Sequence, residues 1–146
     1  AYICCGDNNG TLVDDLWKFD GCDWKQLRDI ANNDSDEDYD DDYAITRAGT
    51  VSFVIDGRGY IATGTRSGVT SDYWVYDPEE DLWYGDSDDD YTPMTNVHNV
   101  SSGGSSRSYA VSFSTGKRGF VLSGSSGTSY FDDVYELLPY EQEDVD

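Results

Sequence analysis

The chain repeats itself with a period of 60 residues, and that period constrains its fold more than any other feature. Arg47 to Gly64 reads RAGTVSFVIDGRGYIATG, and Arg107 to Gly124 reads RSYAVSFSTGKRGFVLSG. Arg, Val-Ser-Phe, Arg-Gly, an aromatic residue and a closing Gly fall in the same places. The correspondence continues from Asp72–Pro78 (DYWVYDP) to Asp133–Pro139 (DVYELLP). A shortened copy opens the chain. Tyr2–Gly6 (YICCG) stands where Tyr60–Gly64 stands, and Asp15–Gly21 (DLWKFDG) stands where Asp72–Pro78 does.

Each copy reads as short strands separated by turns. Gly49 to Val54 is small and apolar enough for an inner strand crowded on both faces, Asp56-Gly57 is a hairpin turn, and Tyr60 to Thr63 is the return strand. A loop rich in Gly, Ser and Thr follows from Gly64 to Ser71. Tyr73 to Tyr76 alternates as a third strand, Asp77-Pro78 turns it, and Leu82 to Tyr84 around Trp83 gives a fourth. No stretch of useful length has a 3.6-residue apolar period, so the fold class is all-β, built from four-stranded units.

These residues resemble the Kelch repeat, one blade of a β-propeller. The order is Arg, small apolar strand, turn, aromatic strand ending in Gly, loop, Asp-x-aromatic-x-aromatic-Asp-Pro, then Trp. The phrase YIATG…SDYWVYDPEEDLW is especially similar to Kelch proteins of Bacteroidetes described as galactose-oxidase-like. The resemblance covers nearly the whole chain outside two acidic loops. It speaks to fold far more than to function. Two features depart from it: Cys5, Thr63 or Ser123 stands where the repeat has the second glycine of a pair, and the last copy has no terminal Trp.

On this reading the chain divides into a partial blade of strands 2–4 (1–27), an acidic inter-blade loop (28–46) and a complete blade (47–85). A second loop, acidic and rich in Ser and Gly (86–106), leads to a last blade of strands 1–3 (107–140) and an acidic tail (141–146). That makes about two and a half blades, where the resemblance implies a ring of six or seven. The expectation is a C-terminal portion of a propeller whose open edges are closed by a polypeptide supplying the missing blades.

Composition bears on whether such a chain folds. Leu, Ile, Val and Phe number only 28 of 146, and 9 Lys and Arg face 30 Asp and Glu, a formal net charge of −21 at pH 7. Such figures flag disorder. The 4 Trp, 12 Tyr and 5 Phe answer the flag, because disordered segments are poor in aromatics. The charge also makes nucleic acid an unfavourable partner. No apolar run approaches the roughly 20 residues of a transmembrane helix, and no basic, then apolar, leader opens the sequence. Cys4, Cys5 and Cys22 form no CxxC pair, and strand alternation predicts that Cys4 and Cys5 face opposite ways as separate buried thiols.

Several residues are candidates for function. Arg47 and Arg107, at the start of inner strands, could bind an anionic ligand near a central channel, or pair with an acid or carbonyl within the blades. Trp17, Trp24, Trp74, Trp83, Phe19, Tyr76, Phe53 and Phe113 occupy positions expected to pack blade on blade. Asp-Ser-Asp-x-Asp-Tyr occurs twice, giving Asp34, Asp36, Asp38 and Asp86, Asp88, Asp90 as oxygen ligands that suit Ca²⁺, though without the Gly and distal Glu of an EF-hand. His98 is the single histidine and sits in a loop, so the copper site of a galactose oxidase cannot be built from this segment.

Strand order predicts a polarised molecule. Loops joining strands 2 to 3 and 4 to 1 gather at one end, acidic, long and rich in Ser and Gly; Arg58, Lys117 and Arg118 gather at the other. The long-looped end is the expected binding surface. The leading expectation is a non-catalytic scaffold binding a protein or glycan. The alternative is a carbohydrate-active Kelch enzyme, an epimerase or lyase, with most catalytic residues in blades not present here. Resemblance to exported Bacteroidetes proteins implies an extracytoplasmic setting.

Overall fold

A computed structural model describes residues 1–30, 45–85, 97–98 and 105–137. The described residues contain strands and no helix. Two compact units divide the chain, residues 1–48 and 49–146.

In the first unit, β1 (Tyr2–Cys4), β4 (Leu16–Phe19) and β5 (Trp24–Gln26) form an antiparallel sheet in the order β1-β4-β5. Its register places Ile3 opposite Trp17 and Phe19 opposite Trp24. Between β1 and β4 the chain forms a small hairpin, β2 (Asp7–Asn8) with β3 (Thr11–Leu12), where the repeat pattern implies plain loop. Asn9-Gly10 turns it with both residues at positive φ, and the Asp7 carboxylate accepts from Gly10 N–H at 2.8 Å. Leu16, Ile30 and Ile45 are buried here.

In the second unit, β6 (Val51–Ile55), β7 (Arg58–Ala62), β8 (Tyr73–Asp77) and β9 (Leu82–Gly85) follow one another in an antiparallel four-stranded sheet. The β6–β7 turn is Asp56-Gly57, with φ of 48° and 83°, the left-handed pair that a two-residue hairpin requires. At the end of β8, the Asp77 carboxylate accepts from Glu79 N–H at 2.9 Å and pairs with Arg58 at 2.8 Å, while Pro78 supplies no donor. That arrangement turns the chain into β9.

The last sheet combines β11 (Val111–Ser114), β12 (Gly119–Leu122) and β13 (Val134–Leu137) with a fourth strand that the sequence did not announce. β10 (Val97–His98), from the segment between the second and third copies, pairs antiparallel with β13, Val97 opposite Leu137 and His98 opposite Glu136. An open outer edge was expected beside β13. The chain's own preceding segment takes that place, and His98 lies in a strand rather than in a loop.

The two four-stranded sheets pack face to face. Val51, Phe53, Tyr60, Ala62, Tyr73 and Val75 of one meet Val121, Tyr135 and Leu137 of the other in a single buried cluster. Period-two alternation produces this, since Val51, Phe53 and Ile55 are buried while Ser52 and Val54 are exposed. The contact is close at Gly119, where a Cβ would overlap the Phe53 ring. β6 and β11 run side by side in parallel, and Ser112 and Ser114 hydroxyls donate to the carbonyls of Ser52 (2.8 Å) and Val54 (2.7 Å). Gly119→Ala should therefore destabilise the protein by about 1–3 kcal/mol through overpacking. Gly68→Ala, with open space around it, should stay within about 0.5 kcal/mol of wild type in urea melts.

Candidate functional site

At the end of the second unit where β7 leaves and β11 begins, two loops and an incoming segment are sewn together by backbone hydrogen bonds. Arg107 C=O accepts from Gly64 N–H at 2.7 Å, and Arg107 N–H donates to Thr70 C=O at 2.9 Å. Ser108 and Ser125 exchange a pair of 2.9 Å bonds. The loops 63–72 and 123–133 thus share one end with the entry to β11. Turns 56–57 and 115–118, with Lys117 facing Asp56 at 3.4 Å, lie together at the other.

Arg107 is the centre of this loop end, and its side chain is 1% exposed. Its guanidinium forks onto Asp133 (2.5 and 3.0 Å), donates to the carbonyls of Ser123 (2.7 Å) and Ser105 (3.1 Å), and lies 4.4 Å from the ring centres of both Phe131 and Tyr135. The neighbouring cleft, lined by Thr63, Ser71, Tyr73, Ser105 and Tyr135 among others, has a volume of about 50 Å³. Pockets for small molecules span about 300–1,000 Å³. The cleft has room for water, not for a sugar ring.

Arg47 is fully buried in the first unit, with its Nε donating to Ile45 C=O at 2.9 Å and its own carbonyl accepting from Gly6 N–H at 3.0 Å. The Arg–Gly backbone bond of the second unit is thus repeated here. Neither arginine presents a guanidinium to solvent.

The acids of the Asp-x-aromatic motif have a role that sequence reasoning missed. Asp15 accepts from the indole N–H of Trp17 at 2.7 Å, and Asp72 from that of Trp74 at 3.3 Å. In the last copy, where Tyr135 replaces Trp, Asp133 takes the Arg107 fork. The spacing Asp-x-Trp was the available signal, because two residues on the same strand face share one side. The Arg107 hydrogen bonds hold the Asp133 carboxyl below its ordinary value of 3.8, with Tyr135 assisting. For Asp77, burial pushes the carboxyl up, but the Glu79 N–H and Arg58 outweigh it and the net shift is downward.

The packing candidates divide by position. Trp83, Tyr76 and Phe53 are buried, Trp17, Phe19 and Trp74 are half-buried, and Trp24 and Phe113 are each 49% exposed. Trp24 keeps a ring contact with Phe19 at 4.9 Å, as Trp83 does with Tyr76 at 5.1 Å.

Cys4 and Cys5 do not face opposite ways as isolated thiols. β1 ends at Cys4, and Cys5 turns into a left-handed conformation (φ 61°), which breaks strand alternation. The Cys5 thiol donates to Ile45 C=O at 3.8 Å; the neighbouring Cys5 thiol and burial push Cys4 up, while the Cys4 thiol and the Arg47 backbone lower Cys5. All three cysteines are free.

Asp34, Asp36, Asp38, Asp86, Asp88 and Asp90 lie outside the described residues. Among the described residues no cluster of three or more His, Cys, Asp or Glu is placed to hold a metal ion, and no helix is long and apolar enough to cross a membrane. Compared with known proteins, the chain matches no protein-family model and no curated protein.

Replacing Arg107 by Met leaves Asp133 and two carbonyls without their donor, and should cost at least about 3 kcal/mol in denaturant melts. The pH dependence follows from the sign of the Asp133 shift. A depressed carboxyl contributes stability that is present above its unfolded value and lost as pH falls through its folded one. The gap in stability between wild type and Asp133→Asn should be constant above about pH 5 and close below 3.8. Taking the difference cancels most of the background from the other acids.

Proposed function

We propose that the chain is a non-catalytic interaction scaffold of Kelch-like β-sheet repeats that binds a protein or glycan through its loop end. The observation that carries this reading is the saturation of Arg107. A residue held by a carboxylate fork, two carbonyls and two rings serves the fold, and a cleft of about 50 Å³ beside it leaves no room for a substrate. Recognition then falls to what the loops expose. Tyr130 is 91% exposed on a loop braced by the Ser125–Tyr130 bridge, and Arg66 is exposed on a loop braced by Thr65–Val69. Exposed side chains on braced loops suit binding, since little order remains to be imposed when a partner arrives. The resemblance to exported Kelch proteins favours an extracytoplasmic setting and a larger assembly supplying further blades.

The test is binding of the whole chain to panels of immobilised glycans and peptides, with Tyr130→Ala and Arg66→Ala beside wild type. The reading expects both variants to keep the wild-type melting temperature, and ligand affinity to fall at least about fivefold in one of them, a loss of roughly 1 kcal/mol. Turnover of a bound glycan, or binding untouched by either loop substitution, would displace it in favour of a site elsewhere.

A further inference from the structure

The interface inside the second unit shows what a sheet of this repeat does with its two faces. One face of β6–β9 carries Val51, Phe53, Tyr60, Ala62 and Tyr73, all at most 8% exposed. It is covered by the face of the next sheet that carries Val121, Tyr135 and Leu137. In the next copy, the same positions of β11–β13 are Val111, Phe113, Phe120, Leu122 and Val134, and the cross-strand register places them together on the opposite face of that sheet. They are apolar like their counterparts. Yet Val111 is 63% exposed, Phe113 49% and Val134 48%, with Phe113 stacked on Phe120 at 4.6 Å.

The first unit leaves open the opposite kind of face. By the repeat, Ile3, Trp17 and Phe19 stand where Val121, Tyr135 and Leu137 stand in the covering sheet. Ile3 is 56% exposed, and Trp24, packed on Phe19, is 49% exposed. Among the described residues, therefore, the Phe113 face is exposed and so is a face of the covering kind.

We propose that the Phe113 face of β11–β13 is a self-association surface, covered by the β1-β4-β5 sheet of a second copy of this chain. The contact is heterologous, joining different faces of two molecules, so it either closes on itself in a dimer or continues through further copies. The exposed patch is apolar across all three strands and carries the Glu136–Arg118 ion pair at its side, with the Arg118 guanidinium 5.8 Å from the Phe120 ring centre. That chemistry suits an apolar sheet and offers a sugar few hydrogen-bonding groups. The position equivalent to Gly119 is Ala1 in the covering sheet, one methyl larger, so Phe113 sits less deeply than Phe53 does. Each copy carries a formal charge of −21, so association strengthens as salt screens the repulsion between copies.

Analytical ultracentrifugation of the full chain across a concentration series, at low and at 0.5 M salt (roughly a 4 Å screening length), tests the proposal. Wild type should self-associate above its 16.3 kDa monomer mass, more strongly at high salt. Ile3→Asp and Phe113→Asp should each weaken association at least about tenfold by placing a carboxylate in an apolar contact. Circular dichroism should show both variants folded, since both positions are exposed. A mixture of the two variants should regain association, because each supplies the face the other lost. A wild-type chain that stays monomeric at both salts overturns the proposal. So does an Ile3→Asp variant that associates like wild type while Phe113→Asp does not, which would mean two Phe113 faces meeting each other. Failure of the mixture to recover overturns it as well. None of these outcomes bears on the loop-end ligand, whose variants leave both sheet faces intact.

Discussion

The second unit hangs on the seating of the Phe53 ring against Gly119. With no side chain at 119, strand β12 comes close enough for the ring to fill the space, and the two sheets settle at the separation this allows. That separation brings β6 and β11 alongside, within reach of the hydroxyls of Ser112 and Ser114. It also places the entry to β11 against the β7–β8 loop, where Arg107 takes its backbone bonds from Gly64 and Thr70. Each neutral hydrogen bond contributes only about 1 kcal/mol. Burial of aromatic and aliphatic surface stabilises the unit more than these bonds do, and the polar contacts fix the register at which that surface is buried.

A second constraint recurs at the end of each copy's second strand. Cys5, Thr63 and Ser123 have φ of 61°, 61° and 57°, and the glycine that follows each is also at positive φ. Left-handed backbone costs an L-residue roughly 1–2 kcal/mol, more for a β-branched one such as Thr63. The glycine pair that the Kelch resemblance implies would carry this conformation without strain. The chain keeps the conformation without the glycine. What holds it there is partly visible in the last copy, where the Ser123 carbonyl accepts from Arg107 and its N–H donates to Asp133 C=O. The strained residue marks the point where the loop end begins, and the arginine network supplies the compensating bonds.

Much of the strand layout was legible because it rests on local patterns repeated at a fixed period. Asp56-Gly57 announced its hairpin, whereas the inner strand, read from its small apolar residues as crowded on both faces, buries only Val51, Phe53 and Ile55 and leaves Ser52 and Val54 exposed. Gly49 and Tyr109, chemically unlike, share a left-handed backbone (φ 61° and 55°) at equivalent positions, so the repeat is more regular in backbone than in residue type. β10 was not legible, because a two-residue strand carries no periodicity and its pairing with β13 is a tertiary choice. The Cys4–Cys5 proximity was missed for a different reason. Alternation holds only while the chain remains extended, and Cys5 is where it stops. At the loop end, the sequence offered two arginines with two fates each. Burial and five partners decided for Arg107, and no pattern in one chain counts those partners in advance.

Charge then shapes what the molecule can bind. With 9 cationic residues against 30 acids, and Arg58, Arg107, Lys117 and Arg118 already facing acids within the fold, cations are scarce on the described surface. An anionic partner meets repulsion with little local attraction to offset it. A neutral partner on the loops avoids that cost, and so does an apolar one on the sheet face. At physiological ionic strength the field decays over about 8 Å, whereas apolar contact acts only when surfaces touch and is not screened. An acidic molecule with an uncharged patch therefore stays apart from most neighbours and still joins a surface of matching shape. The same charge thereby disfavours acidic surfaces against neutral or apolar ones.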